Sequence, residues 1–304
     1  MRIFYPDTED LPLPAGHRFP AGKYRLLREK LLAEGILAAG QLQASPAIAI
    51  GDLERAHSPA YVRSILSGSV SADAMRRIGL PWSQTLVRRS RAAVGGSLAA
   101  ARSALAHGVS GQLAGGTHHA HRDHGSGFCV FNDLAVTALT LLAERPALRI
   151  AIIDLDVHQG DGNASILAAR DTILVASLHA ENNFPFKKIP SDFDLALPDA
   201  TTDDHYLEAV EETLAAAARF HPDLVLYLAG VDPLKQDRLG RLDVTLQGLV
   251  ARDRLVLGHC RVQAIPVAIV AGGGYADPIS LSVDAYANTW RVARSEFASA
   301  WPRK

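Results

Sequence analysis

Residues 150–162 read Ile-Ala-Ile-Ile-Asp-Leu-Asp-Val-His-Gln-Gly-Asp-Gly. A short apolar run, Leu148–Ile153, stops abruptly in polar residues at every second position: Asp154, Asp156 and His158. Uniformly apolar runs of this length suit parallel strands buried on both faces. Similar runs occur at Thr172–Ala176, Leu224–Leu228 and Ile265–Val270, with a shorter strand-like piece at Gly111–Ala114. Helical stretches separate them. The clearest spans Asp204 to Phe220, with Leu207, Val210, Leu214 and Ala218 on one side and Pro222 as a stop. Alternating strands and helices predict an α/β fold, a largely parallel sheet sandwiched by helices.

The first hundred residues are helix-rich. Tyr24, Leu27 and Leu31 share one face of a helix over Ala21–Gly35, Ser58-Pro59 opens another, and residues 83–107 form a long one with Gly95-Gly96 as a weak point. Pro185 to Pro198 is expected to be a long loop. No repeat, low-complexity segment or linker interrupts the chain, so residues 1–304 are read as one domain.

Composition narrows the function. Hydrophobic residues make up 48% and charged residues 21% of 304, ordinary values for a folded domain, and the net charge of −1 gives no overall attraction for nucleic acid or anionic membrane. Arg76, Arg77, Arg88, Arg89 and Arg91 cluster locally and are read as a solvated helix face. Two cysteines, Cys129 and Cys260, cannot form a disulfide framework, and the N-terminal residues lack a signal-peptide core. These features fit a cytoplasmic protein with no membrane partner.

The chemistry gathers where the strands end. Polar, glycine-flanked clusters follow the apolar runs: Asp154–His158, Ser177-Leu178-His179, Ala229–Asp232 and Gly272-Gly273-Gly274-Tyr275. In open α/β sheets ligands bind beyond the carboxyl ends of the strands, so four clusters on one edge predict an active-site rim. If strand geometry continues past Asp154, Asp156 and His158 point the same way and can share an ion, with Asp232 as a third ligand. Two carboxylates and an imidazole leave a position open, as catalytic zinc requires, though such a set also admits Fe²⁺ or Mn²⁺. Gly115-Gly116-Thr117-His118-His119 supplies a pair of imidazoles suited to general-base work near neutral pH. Asp154 and Asp161 are candidates to orient them. His121 and His124 are read as part of a mobile histidine-rich loop. Tyr275, on a glycine turn, can donate to an oxyanion. Gly127-Phe128-Cys129 offers an aromatic wall and a structural thiol.

These residues together resemble the histone deacetylase family of the arginase–deacetylase superfamily. The resemblance runs from about His17 to the C-terminal helix through GGTHHAH, GFCVFND, IDLDVHQGDG, VASLH, AGVDPL and AGGGYADP, in family order. His17–Tyr24 and Gly248–Asp253 look most like the class IV branch and small bacterial relatives. The resemblance implies a zinc-dependent deacylase acting on acylated lysine or a similar small amine. It implies zinc ligands at Asp156, His158 and Asp232, and His119 as general base and then acid, oriented by Asp161. His118, paired with Asp154, is the electrostatic partner, and Tyr275 the oxyanion donor. It further implies a structural potassium site from Asp154, Ser177 and the carbonyls of Asp156, His158 and Leu178, and substrate contacts at Gly127, Phe128 and Gly273. Gln159, where many relatives carry His or Asn, and Pro233 depart from the pattern without removing a ligand.

Two other readings are compatible with parts of this set. A binuclear manganese ureohydrolase-like enzyme needs further bridging carboxylates, and metal stoichiometry separates it. A non-catalytic acyl-lysine binding module predicts binding without product release.

Overall fold

The computed structural model describes residues 1–300. Eight strands form one sheet: β1 (Ile3–Tyr5), β2 (Leu42–Ala44), β3 (Val109–Gln112), β4 (Ile150–Asp154), β5 (Ile173–Ala180), β6 (Phe193–Leu197), β7 (Leu224–Leu228) and β8 (Val267–Val270). Their spatial order is β2-β1-β3-β8-β7-β4-β5-β6, and every neighbouring pair is parallel. Ten α-helices accompany them among the described residues: α1 (Lys23–Ala33), α2 (Ile50–Ala56), α3 (Pro59–Ser67), α4 (Ala72–Ile78), α5 (Gln84–His107), α6 (Asp133–Glu144), α7 (Asp161–Leu167), α8 (Asp203–Phe220), α9 (Leu246–Val262) and α10 (Ser280–Glu296). None of these helices is long and apolar enough to cross a membrane.

Strand alternation explains the two-layer core. On β4, Ala151 and Ile153 join one apolar cluster, while Ile150 and Ile152 join the other; β7 and β8 divide in the same way. The first cluster is closed by α1, α8, α9 and α10, the second by α2, α3, α5 and α6. Central strands therefore have no polar face to show, and their residues read as continuous apolar runs.

The expected strands and helices are present, and the differences have local causes. The long helix α5 passes unbroken through Gly95-Gly96, because the absent side chains let the Pro46 carbonyl and the Gln112 side chain pack directly against it. The stretch expected to be a loop from Pro185 to Pro198 contains β6, an edge strand whose residues alternate between half-buried and exposed. Ser177-Leu178-His179 lies within β5 rather than after it. β1 and β2, three residues each, are too short to carry a periodic signal. In the arginine cluster Arg76, Arg77 and Arg88 are exposed, and four of the five arginines also have partners. Arg88 pairs with Glu9 at 2.6 Å, Arg91 donates to the Ile48 carbonyl at 2.8 Å, Arg89 lies over the Tyr24 ring, and Arg76 pairs with Asp73.

Candidate active site

The chain bends immediately after β4, so continuation of the strand is not what brings Asp156 and His158 together. Two successive carboxylate turns do it. Asp154 Oδ1 accepts from the Asp156 N–H at 3.2 Å, and Asp156 Oδ1 accepts from the His158 N–H at 3.0 Å. Such side-chain-to-backbone bonds two residues on reproduce a turn that the backbone alone would leave unsatisfied. The second turn folds the imidazole back on its own carboxylate, with His158 Nδ1 2.9 Å from Asp156 Oδ1.

Asp232 arrives from the segment after β7. Its Oδ1 accepts from the Val157 N–H at 2.9 Å, and its Oδ2 lies 3.1 Å from His158 Nδ1. Asp156, His158 and Asp232 each offer one ligand atom, all within 4.8 Å of one another. The glycine segment after β8 closes the cradle: the Gly273 N–H donates to Asp156 Oδ2 at 2.6 Å, and a Cβ on Gly273 would stand 1.7 Å from Asp232 Oδ2. Only glycine permits that approach.

Charge balance in this cradle calls for a cation. Burial pushes the Asp232 carboxyl up to about 7, reinforced by the neighbouring Asp156 charge. Burial alone would depress His158, yet its hydrogen bonds to Asp156 and Asp232 outweigh that and raise it to about 10. Two buried carboxylates thus hold a proton on the imidazole between them. A divalent ion, whose ligands must be deprotonated, would take that proton's place. The donor set fits such an ion.

The histidine pair stands beside the cradle, its ring centroids 4.1 Å apart. His118 Nδ1 lies 2.8 Å from Asp154 Oδ2, and His119 Nδ1 2.6 Å from Asp161 Oδ1. Both rings are buried, and their surroundings shift them in opposite directions. His118 is raised to about 9: burial opposes the charge, but the Asp154 and Asp156 carboxylates overcome it. His119 is lowered to about 4 by burial and by the adjacent His118. The pair therefore presents one imidazole that holds a proton and one that is free to accept.

These groups open into a pocket of about 560 Å³. Gly127, Phe128 and Phe184 form its wall: Phe184 stands edge-on to His119 at 4.9 Å, and Phe128 is 6.1 Å from the Tyr275 ring. A Cβ at Gly127 would approach His119 Cδ2 to 2.7 Å, so the wall can sit this close only at a glycine. Phe128 adopts a φ of 66°, a conformation a bulky residue enters only when its surroundings impose it. The Phe128 N–H is held by the Ile78 carbonyl at 2.7 Å. The Cys129 thiol is buried and pushed well up by desolvation, which makes it inert. Asp154 and Ser177 are register partners across β4 and β5, and Ser177 Oγ lies 3.2 Å from His179 Nδ1.

The geometry adds residues to which the motifs had assigned no role. His121 is fixed rather than mobile: its Nε2 lies 3.1 Å from Asp161 Oδ2, its Nδ1 2.8 Å from Ser165 Oγ, and its ring stacks on His124 at 4.5 Å. Buried His57 accepts from the Asn132 N–H and contacts the His121 carbonyl at 2.8 Å. Asp133 caps the Gly116 and Thr117 N–H groups, setting the entry of the histidine pair. Lys23, 2% exposed, donates to the carbonyls of Gly272 and Gly274. Tyr286 and Asp237 hold the same glycine segment, Asp237 accepting from the Tyr275 N–H at 2.5 Å. Gln159 ties the site to the outer loop through Ile189 and Asp194. Lys23 and Asp133 stood inside the HRFPAGKY and GFCVFND motifs. Their roles depend on partners far along the chain.

The histone deacetylase domain model matches residues 17–290. The chain belongs to the histone deacetylase family. This deacetylase-family chain is 44% identical to an uncharacterized protein of Picosynechococcus sp. over 97% of its own length and 98% of the relative's. It is 31% identical to the acetoin utilization protein AcuC of Staphylococcus aureus, covering 91% and 74% of the two chains. It is 29% identical to histone deacetylase 2 of Arabidopsis thaliana, covering 85% and 70%. Among solved structures, a histone deacetylase homologue from Aquifex aeolicus superposes with a TM-score of 0.81 at 23% identity, covering 98% of this chain and 88% of that one. The protein is a deacetylase-type hydrolase acting on amides, of a generally metal-dependent family.

Proposed function

We propose that the protein removes acetyl or related acyl groups from lysine side chains or similar amines, with one divalent cation, zinc, held by Asp156, His158 and Asp232. The observation that carries this reading is the convergence of three features on one pocket: the ligand cradle, the His119–Asp161 pair and Tyr275. Among the described residues one such ligand group is present, which supports a single ion over a bridged pair. A bound divalent ion would polarise the acyl carbonyl and make a water acidic enough to attack near neutral pH.

The chain's own groups supply the rest. Asp161 holds His119 through Nδ1, which leaves Nε2 as the proton-accepting nitrogen. Its depressed pKa keeps it unprotonated at neutral pH, ready to take a proton from water and return it to the leaving amine. His118, held protonated by Asp154, supplies fixed positive charge beside the forming oxyanion. Burial raises the Tyr275 phenol well above its ordinary value, so it remains a hydrogen-bond donor at any working pH. Its place on the segment fixed by Asp237 and Tyr286 suits donation to the oxyanion. Phe128, Gly127 and Gly273 would line the path of the acylated side chain. Asp154, Ser177 and the carbonyls of Asp156, His158 and Leu178 would hold the structural potassium ion.

The test is a panel of acetyl-lysine peptides, acetylpolyamines and longer acyl-lysines assayed with protein loaded with zinc, iron(II) or manganese(II), and with a chelator as control. The reading requires release of the free acid, loss of activity with chelator and one metal per chain. Acyl-lysine binding without release would replace it with a binding role.

A further inference from the structure

The base of the pocket was set by the family motifs; its mouth was not. Four arginines line it, Arg18, Arg77, Arg238 and Arg241. They come from three separate segments: the stretch before α1, the last turn of α4, and the loop after Asp232, which carries two. Among the described residues, the one carboxylate lining the same pocket is Asp156, buried at its base. In a chain whose net charge is −1, the exposed charged residues lining this pocket, among those described, are thus all arginines.

Each arginine is tied to the channel wall by its neighbours or its own bonds. Phe19, next to Arg18, packs on Phe128 with ring centroids 5.4 Å apart. Ile78, next to Arg77, accepts the Phe128 N–H at 2.7 Å. Arg238 donates through Nε to the Tyr275 carbonyl at 3.2 Å, which leaves both terminal nitrogens available. Arg241 alone has a carboxylate partner, Asp199 at 3.0 Å. Arg18, Arg77 and Arg238 have no ion pair among the described residues, unlike Arg76 on α4 and Arg88 and Arg102 on α5. Cations left unneutralised around a cleft focus a positive field at its entrance.

We infer that this mouth selects acyl-lysine substrates whose flanking residues are acidic. The inference rests on the deacylase reading above and specifies its substrate class. With the acyl carbonyl at the buried end of the pocket, beside His119 and Tyr275, the body carrying the amine must stand at the opening. Carboxylates on residues next to the acylated lysine would then meet the free guanidinium groups, whose paired N–H donors match carboxylate geometry.

Metal-loaded enzyme should be assayed on three acetyl-lysine peptides that differ only in having Glu, Gln or Lys on both sides of the modified residue. The expected order of kcat/KM is Glu, then Gln, then Lys, with roughly tenfold between the extremes at low salt, carried mainly by KM. The spread should shrink in about 0.5 M salt, where the screening length is only a few ångströms. The double variant Arg18→Glu, Arg77→Glu should reverse the order. Both side chains are exposed and make no hydrogen bond, so the fold is spared, and Arg238 is left in place because it holds Tyr275. Hydrolysis of all three peptides at equal kcat/KM, or an order unchanged in the double variant, overturns the selectivity while leaving the deacylase reading intact. If none of the three peptides is hydrolysed, the acyl-lysine part of the deacylase reading fails and the selectivity falls with it.

Discussion

The base of the pocket and its mouth handle charge in opposite ways. At the base the charges are buried and hydrogen-bonded: Asp154 to His118, Asp161 to His119 and His121, and the two cradle carboxylates to the one imidazole of His158. At the mouth three exposed arginines, Arg18, Arg77 and Arg238, have no ion pair among the described residues. Buried pairs are costly to break because a lone charge cannot be solvated there, whereas exposed charges interact weakly and are screened by salt. On the proposed reading, the base would carry the chemistry and the mouth would choose the substrate.

Substitutions should follow that division in size. Asp232→Asn removes one ligand and leaves Asp156 and His158 poorly balanced; metal content and turnover should both fall to background, and retained turnover with full metal content would break the assignment of the base. Tyr275→Phe should retain metal and fold while kcat drops on the order of 10²–10³-fold, the usual cost of one oxyanion donor. A kcat near wild type would remove Tyr275 from the chemistry.

Acid should act on the base by way of His57, whose pKa burial lowers to about 4 from its ordinary 6.5. The unfolded chain binds this proton more readily than the folded one, so stability rises with pH between those two values. The contribution is complete above about 6.5 and lost as pH falls towards 4, about 3 kcal/mol or roughly 10²-fold in the folding equilibrium. Urea unfolding at pH 7.5 and pH 5 should show about 2 kcal/mol of this loss, and His57→Gln should reduce the slope. A smaller effect is expected from His121→Ala, about a tenfold loss in kcat with little change in KM, because Asp161 loses one of its two imidazole partners. At the mouth, neutralising Arg77 alone should change KM only severalfold, and only at low salt.

Much of the site was legible in the chain because its ligands and bases sit within short motifs at the ends of apolar runs. Asp154, Asp156 and His158 occupy consecutive alternate positions, and His118-His119 are adjacent, so their proximity needs no tertiary information. The route by which Asp156 and His158 converge was not legible. Two carboxylate turns replace the expected strand, because the backbone groups freed at the end of β4 find closer acceptors in those side chains. β6 escaped notice for a different reason: an edge strand buries one face only, and five alternating residues beside prolines read as loop. His121 looked like one more polar residue in a mobile segment, since its partners Asp161 and Ser165 lie about forty positions away.

The sequence by itself determined the strand–helix alternation and placed the candidate ligands, the two adjacent imidazoles and a glycine-borne tyrosine at the strand ends. Those features depend on residue type and short spacing, which are local. Only the tertiary structure decided which histidine is held charged and which neutral, that Lys23, Asp133 and Asp237 anchor the segments carrying the chemistry, and that arginines from distant segments ring one opening. Those outcomes depend on burial and on the distances between groups far apart in the chain, quantities that exist only once the sheet and its helices have packed.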